Sequence, residues 1–576
     1  MSDSTPSSAP VTPTADLAAL RAAAAQAAAD AAEAKAQAAA AALAAAEAAA
    51  GAAPAPAPQQ PADLSPHAAE VRAGYTFPGP MLTIGALVED DVAVAGAPVG
   101  IPLAMMNRHG LVAGATGTGK TKTLQVLAEG LSAAGVPVFV ADVKGDLSGL
   151  AVPGVPSEKM LARTSSLGQE WVATASPVEF LSLGGLGEGA PVRTTVTDFG
   201  PLLLAKVLGL NATQESSLGL IMHWADTQGL ALLDLKDLQA TIAYLVSPEG
   251  KPQLAGIGGL SAATAGVILR EIVGLQGQGA DAFFGEPAFD VSELLRTAAD
   301  GRGVISALEL PAVQDRPALF STFLMWLLAE LFQALPEVGD PDKPKLVFFF
   351  DEAHLLFTGA SKDFLTQVTQ TVRLIRSKGV GVFFVTQSPK DVPSDVLGQL
   401  GNRVQHALRA FTPDDAKALR AAARTFPTSP YDLEQLLQSL GTGEAVVTVQ
   451  SERGTPTPVA WTRLRAPQSS MEPMGAAQLS SAVAASPLSG RYGAAVDRES
   501  AYELLSARAA AAQAQEAEEE EEQEAQERAD EAEKEARRPA PQRSTSRTSP
   551  LDSLLRSAGT QLGREITRSL FGTRRR

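Results

Sequence analysis

Cysteine is absent from the 576-residue sequence, which excludes disulfide scaffolds, thiol catalysis and Cys-ligated metal sites. Histidine is scarce. His67, His109, His223, His354 and His406 stand far apart, none at metal-ligand spacing from another, so no His-built zinc site is expected. Basic charge is in deficit, with 47 Lys and Arg against 64 Asp and Glu, a formal charge of −17. That excludes a protein that coats nucleic acid over its whole surface, but not one with a local basic channel. No apolar run is long enough to span a bilayer: the longest strongly apolar stretch, residues 323–335, is short and carries Glu330. The opening MSDSTPSSAP has neither a basic n-region nor an apolar h-region, so a soluble, cytoplasmic protein with no integral membrane segment is expected. Hydrophobic residues, at 45%, are sufficient for a sizeable core.

Composition changes sharply along the chain. Residues 1–63 are an Ala-rich stretch of high helix propensity followed by the spacer APAPAPQQPA, and they lack the large side chains a core needs. They read as a solvated, partly helical tail or a partner-binding segment. Residues 64–107 hold short β-like runs, LTIGALV and DVAVAGAPVGIPL, broken by Gly and Pro, a small β region or a few strands leading into the main fold. From residue 108 to 465 short apolar strands alternate with helical patterns, the signature of a parallel sheet covered on both faces. Within that span, residues 198–300 switch to helical period and read as a helical insertion. Residues 466–515 read as a linker and a helix. Residues 516–535 form an acidic run with twelve acidic and two basic side chains, and residues 536–576 carry ten basic and two acidic ones. The latter end in a basic amphipathic helix, Ser549–Arg576, suited to clasping the acidic run, gripping DNA or lying on a membrane.

Chemistry concentrates at three strand ends. Gly114-Ala-Thr116-Gly117-Thr118-Gly119-Lys120-Thr121 fits G-x-x-x-x-G-K-[ST] between an apolar strand and a helical pattern. Glycines let the backbone wrap a phosphate so that N–H groups and the helix N-terminus point at it. Lys120 then reaches the β- and γ-phosphates and the Thr121 hydroxyl binds Mg²⁺. The run LVFFF ends in Asp351-Glu352: Asp351 is placed to hold Mg²⁺ through its water shell, and Glu352 to polarise a water for in-line attack on a γ-phosphate. A third buried strand, residues 380–386, delivers Gln387, whose amide can bond the γ-phosphate or the attacking water. Arg373, Arg376 and Lys378 cluster before that strand, either complementing a helix dipole or supplying an arginine finger to a neighbouring subunit.

Together NRHGLVAGATGTGKT, FVADVKGDLSGL, FFFDEAHLLF, RLIRSKGVGVFFVTQ and GNRVQHALRAFTP resemble the HerA/FtsK superfamily of P-loop motors, more closely the bacterial HerA-like proteins of the YjgR type, over residues 75–465. The resemblance implies a RecA-like α/β core with a mainly parallel sheet, ring hexamers, ATP hydrolysis with Mg²⁺ and movement along double-stranded DNA. It implies too that Arg376 is a trans-acting arginine finger, with Arg373 as the fallback, that Arg108 acts in cis, and that Asp142 is the acid closing the second strand at the nucleotide. Archaeal HerA has a fuller barrel, used for docking a nuclease, where this chain has only a short β region, so the resemblance does not extend to a nuclease partner. Two other functions fit the same motifs: an ATPase motor acting on protein, as in secretion or conjugation, and a nucleotide-dependent oligomeric scaffold. The paired acids and Gln387 speak against the scaffold, which needs no hydrolytic apparatus.

Overall fold

A computed structural model of the chain describes residues 64–357 and 362–536, so the Ala-rich segment 1–63 and the basic segment ending in Ser549–Arg576 lie outside the described residues. The described residues divide into two compact units, one formed by 64–192 with 289–494 and the other by 193–288 with 495–536.

The first unit is built on one twelve-stranded sheet. Its strands are β1 Met81–Glu89, β2 Val92–Pro102, β3 Gly110–Ala113, β4 Val138–Asp142, β5 Val178–Leu183, β6 Ala190–Val192, β7 Ile305–Glu309, β8 Leu346–Phe350, β9 Val380–Thr386, β10 Asn402–Gln405, β11 Glu444–Thr448 and β12 Ala460–Leu464. They lie in the order β2-β1-β12-β11-β10-β3-β9-β8-β4-β7-β5-β6. From β10 to β6 every pairing is parallel, whereas β11, β12, β1 and β2 are joined antiparallel. This is the mainly parallel α/β architecture expected from the alternating pattern. The β-like runs within residues 64–107 supply β1 and β2, which continue the main sheet through the β1–β12 pairing.

The unbroken apolar character of the central strands follows from their cover. Every residue of β4, β8 and β9 is buried, and side chains alternate between two faces. On one face Phe349 packs 5.3 Å from Phe383, in a cluster that takes Leu124, Leu127 and Leu131 from the helix α1 Lys120–Ala133. On the other, Phe348 lies 5.0 Å from Phe139, whose ring in turn stacks 6.3 Å from Phe323 of α2, Pro317–Ala334. Helices thus cover both faces, and the loops at the carboxyl ends of the parallel strands are left to form a site.

The unit extends past Arg465, the end of the globular span read from the sequence. Residues 466–474 run back along α1: Glu129 accepts the backbone N–H of Gln468 at 2.8 Å and of Ser469 at 2.9 Å, and Gln125 donates to the Ser470 carbonyl at 3.0 Å. Gln169 fastens the start of this strap by exchanging two bonds with the Ala466 backbone. Nothing in the local pattern of PQSSMEP marks it as packed, because its partners are more than 290 residues away in sequence.

The second unit holds helices at Pro201–Val207, Ala212–Thr227, Leu235–Val246 and Ala262–Gln276. Asn211 and Asp234 each close a capping box, which fixes where two of them begin. The helix Ala501–Ala536 docks by its first turns, where Asp237 accepts bonds from the Ser500 hydroxyl and the Tyr502 N–H. The acidic run lies on this helix, with every described side chain from Glu516 to Lys534 exposed. No single helix among the described residues is long and apolar enough to cross a membrane.

Candidate functional site

The loop between β3 and α1 is the strand–glycine loop–helix expected from the sequence. Gly117 at φ +77° and Gly119 at φ +107° hold left-handed conformations that a side chain would strain. A Cβ at Gly114 would stand 2.4 Å from the His406 Cβ, so the loop can pack this tightly only with glycine there. The loop is fastened from both neighbouring strands: Gly114 N–H donates to the Thr386 carbonyl at 3.2 Å and Ala115 N–H to the Ala407 carbonyl at 2.8 Å. Below it, fully buried His406 bonds Thr123 of α1 at 2.9 Å, and burial pulls its imidazole down to about 4, so the support is neutral. The Lys120 amine curls into the loop and donates to the Ala115 carbonyl at 3.2 Å, while burial lowers its pKa. Thr116 and Gly117 are exposed at the mouth, whereas Thr118 is buried and bonds the Ala115 carbonyl at 2.7 Å. Thr121 follows Lys120 in the first turn of α1.

Strand order brings the other carboxyl ends beside this loop. β9 is the neighbour of β3 and β8 the next strand out, so Gln387, Asp351 and Glu352 emerge on the same edge of the sheet as the glycine loop. Ala115, Thr116, Gln387, Ser388 and His354 line one cavity of about 590 Å³. Asp351 is buried, with Oδ2 accepting no hydrogen bond from a described residue, and burial together with the Glu352 charge pushes it up to about 7. Glu352 sits in a turn at φ +47°, a strained position for a non-glycine residue. Its carboxylate is also buried. Burial alone would raise it, but the Lys144 ammonium on Oε1, with His354 and Lys120 nearby, brings it below the usual carboxylate range.

Asp142 stands at the end of β4. Both its oxygens are taken by backbone: Oδ1 accepts the N–H groups of Lys144 at 3.1 Å and Gly145 at 2.7 Å, and Oδ2 that of Leu147 at 2.8 Å. Burial, with Asp146 adding to it, pushes this carboxyl up to about 6. It ties down the turn that carries Lys144. Beyond it on β7, buried Glu309 is pushed up to about 8 by burial and by the neighbouring Asp142 and Asp146 charges.

The arginines are elsewhere. Arg108 precedes β3 and Arg376 precedes β9, at the amino end of the parallel strands, opposite the glycine loop. Five residues, four of them in β3, separate Arg108 from Gly114, a span of about 20 Å at roughly 3.3 Å per step. Both guanidiniums instead converge on Asp340, at 3.0 Å from Arg108 and 3.9 Å from Arg376. The two arginines share one edge of the sheet in this structure. Arg373 lies in the last turn of the helix Lys362–Ile375, just before that edge.

Lys144, His406 and the strap along α1 are the parts that sequence reasoning missed. Lys144 and His406 stood inside motifs quoted for the resemblance, FVADVKGDLSGL and GNRVQHALRAFTP, but no spacing rule ties Lys144 to Glu352, 208 residues away, or His406 to Thr123 of α1, 283 residues away.

The sequence matches the model of the family described as Helicase HerA-like C-terminal over residues 89–576. No curated protein matches it. Among solved structures it is similar to the bacterial conjugative coupling protein TrwBdeltaN70, at 15% identity and TM-score 0.44 over 71% of this chain and 95% of that one. It is similar also to the plasmid coupling protein TrwB in complex with ADP and Mg²⁺, at 16% identity and TM-score 0.45 over 68% and 96%. VirB4 of Thermoanaerobacter pseudethanolicus follows at 15% identity and TM-score 0.40 over 67% and 96%. On the family match, which takes in the glycine loop and every strand end described above, the chain belongs to the HerA-like C-terminal family of P-loop ATPases.

Proposed function

We propose that the chain hydrolyses ATP and uses it to move along double-stranded DNA as a homo-oligomeric ring, a hexamer by family resemblance. The observation that carries this reading is the convergence of the glycine loop, Lys120, Asp351, Glu352 and Gln387 on one edge of the sheet. The cradle suits a triphosphate: Gly117 and Gly119 take the left-handed turns that let the backbone wrap an anion, and Lys120 rests on a carbonyl that a phosphate can replace. The donor set also suits Mg²⁺, since the buried, unbonded Asp351 Oδ2 lacks only a cation's water shell. Thr121 and Asp351 would hold that ion, which when bound neutralises phosphate charge.

In this reading Glu352 takes a proton from water as the water oxygen attacks the γ-phosphorus and the bond to the ADP oxygen breaks. Gln387 orients the water or the γ-phosphate. Backbone N–H groups from Gly114 to Thr121 hold the phosphates, with Lys120 spanning the β and γ positions. Arg376 and Arg108, on the opposite edge, serve the site of the next subunit, which is why a single chain is incomplete as a catalyst.

A DNA track is favoured over a protein track by the family's description as helicase-like. The test is ATP hydrolysis by the full chain with Mg²⁺, measured with and without long duplex DNA. Stimulation by the duplex is expected; a rate indifferent to DNA favours a protein track or a scaffold.

A further inference from the structure

Glu352 is not free in this structure. The Lys144 ammonium donates to its Oε1, and the other oxygen lies 3.2 Å from His354 Nδ1. The two partners of the Lys144–Glu352 pair are unlike in mobility. The carboxylate is 6% exposed and fixed by a strained turn, whereas the lysine side chain is 47% exposed on a four-carbon stem. The base of that stem is anchored, because Asp142 accepts the N–H groups of Lys144, Gly145 and Leu147. Gly145, at φ +74°, makes the reversal that returns the turn over the strand end. Since β4 and β8 are parallel neighbours in register, the turn after one necessarily overlies the acids after the other.

We infer that Lys144 is a positioning residue that restrains Glu352, occupying an oxygen needed to take a proton from water. This rests on reading Glu352 as the general base. A charge-assisted bond on a carboxylate uses one lone pair and disfavours protonation there. The exposed, flexible stem lets the ammonium leave the carboxylate only part of the time, and the base acts in those intervals.

The experiment measures kcat and KM for Mg²⁺-ATP hydrolysis by the full chain without DNA. Lys144→Met and Lys144→Ala should raise kcat roughly five- to tenfold, the size expected for releasing one charge-assisted bond net of solvation. KM should stay within about twofold, because uniform binding is untouched. Lys144→Arg, which keeps a cation within reach, should bring kcat back toward wild type. In a Glu352→Gln background Lys144→Met should give no gain, since the effect runs through that carboxylate. A fall in kcat, or a rise of about tenfold in KM, would make Lys144 a phosphate ligand and overturn the restraint. An unchanged kcat for Lys144→Met beside an inactive Glu352→Gln removes the restraint but keeps the base. A Glu352→Gln protein that turns over at the wild-type rate removes both.

Discussion

Glu352→Gln is expected to bind ATP with nearly wild-type affinity and to hydrolyse it about 10²–10⁴-fold more slowly, the usual loss when a positioned proton acceptor is removed. The amide keeps the size of the carboxylate, so the tight turn at φ +47° and the packing around it need not change. The glycine loop, Lys120 and Gln387 are untouched, and the phosphates retain their contacts. Affinity measured by equilibrium binding of a fluorescent ATP analogue and turnover measured by phosphate release should therefore separate. Loss of both together would mean that the substitution had disturbed the fold; loss of neither would take Glu352 out of the chemistry.

Arg376→Ala is expected to reduce turnover on the scale of an arginine finger, about 10³–10⁵-fold, while leaving nucleotide binding in place. The geometry makes a sharper test possible. Arg376 and Arg108 lie on one edge and the glycine loop on the other, so in the proposed ring each site would take its acids from one subunit and its arginines from the next. Mixing Arg376→Ala subunits with Glu352→Gln subunits should restore activity at interfaces that pair an intact Glu352 with an intact Arg376. Mixing Arg376→Ala with Arg108→Ala should restore none, because both arginines must come from the same neighbour. Recovery in that second mixture would return Arg108 to a cis role. An active monomer would remove the shared site altogether.

Much of this site was legible because its pieces are local. A strand followed at once by G-x-x-x-x-G-K-[ST], a five-residue apolar run ending in two acids, and a seven-residue buried strand ending in Gln387 each announce themselves within a dozen residues. The parallel sheet was legible for the same reason, since strands covered on both faces are apolar throughout. The long-range pairings were hidden. Which strand ends become neighbours depends on the sheet order, and β4 meets β8 across the whole helical segment and β7. Lys144 therefore looked like one charged residue in a loop, and the sequence offered no sign that its partner was Glu352.

The claim that ATP hydrolysis drives motion along duplex DNA is tested most directly by displacement of a third strand from a triplex on a long linear duplex. The protein with ATP and Mg²⁺ should strip the third strand without melting the duplex beneath it, and Glu352→Gln should bind the same DNA and strip nothing. A wild-type protein that hydrolyses ATP at full rate on that DNA yet leaves the triplex in place would contradict the account.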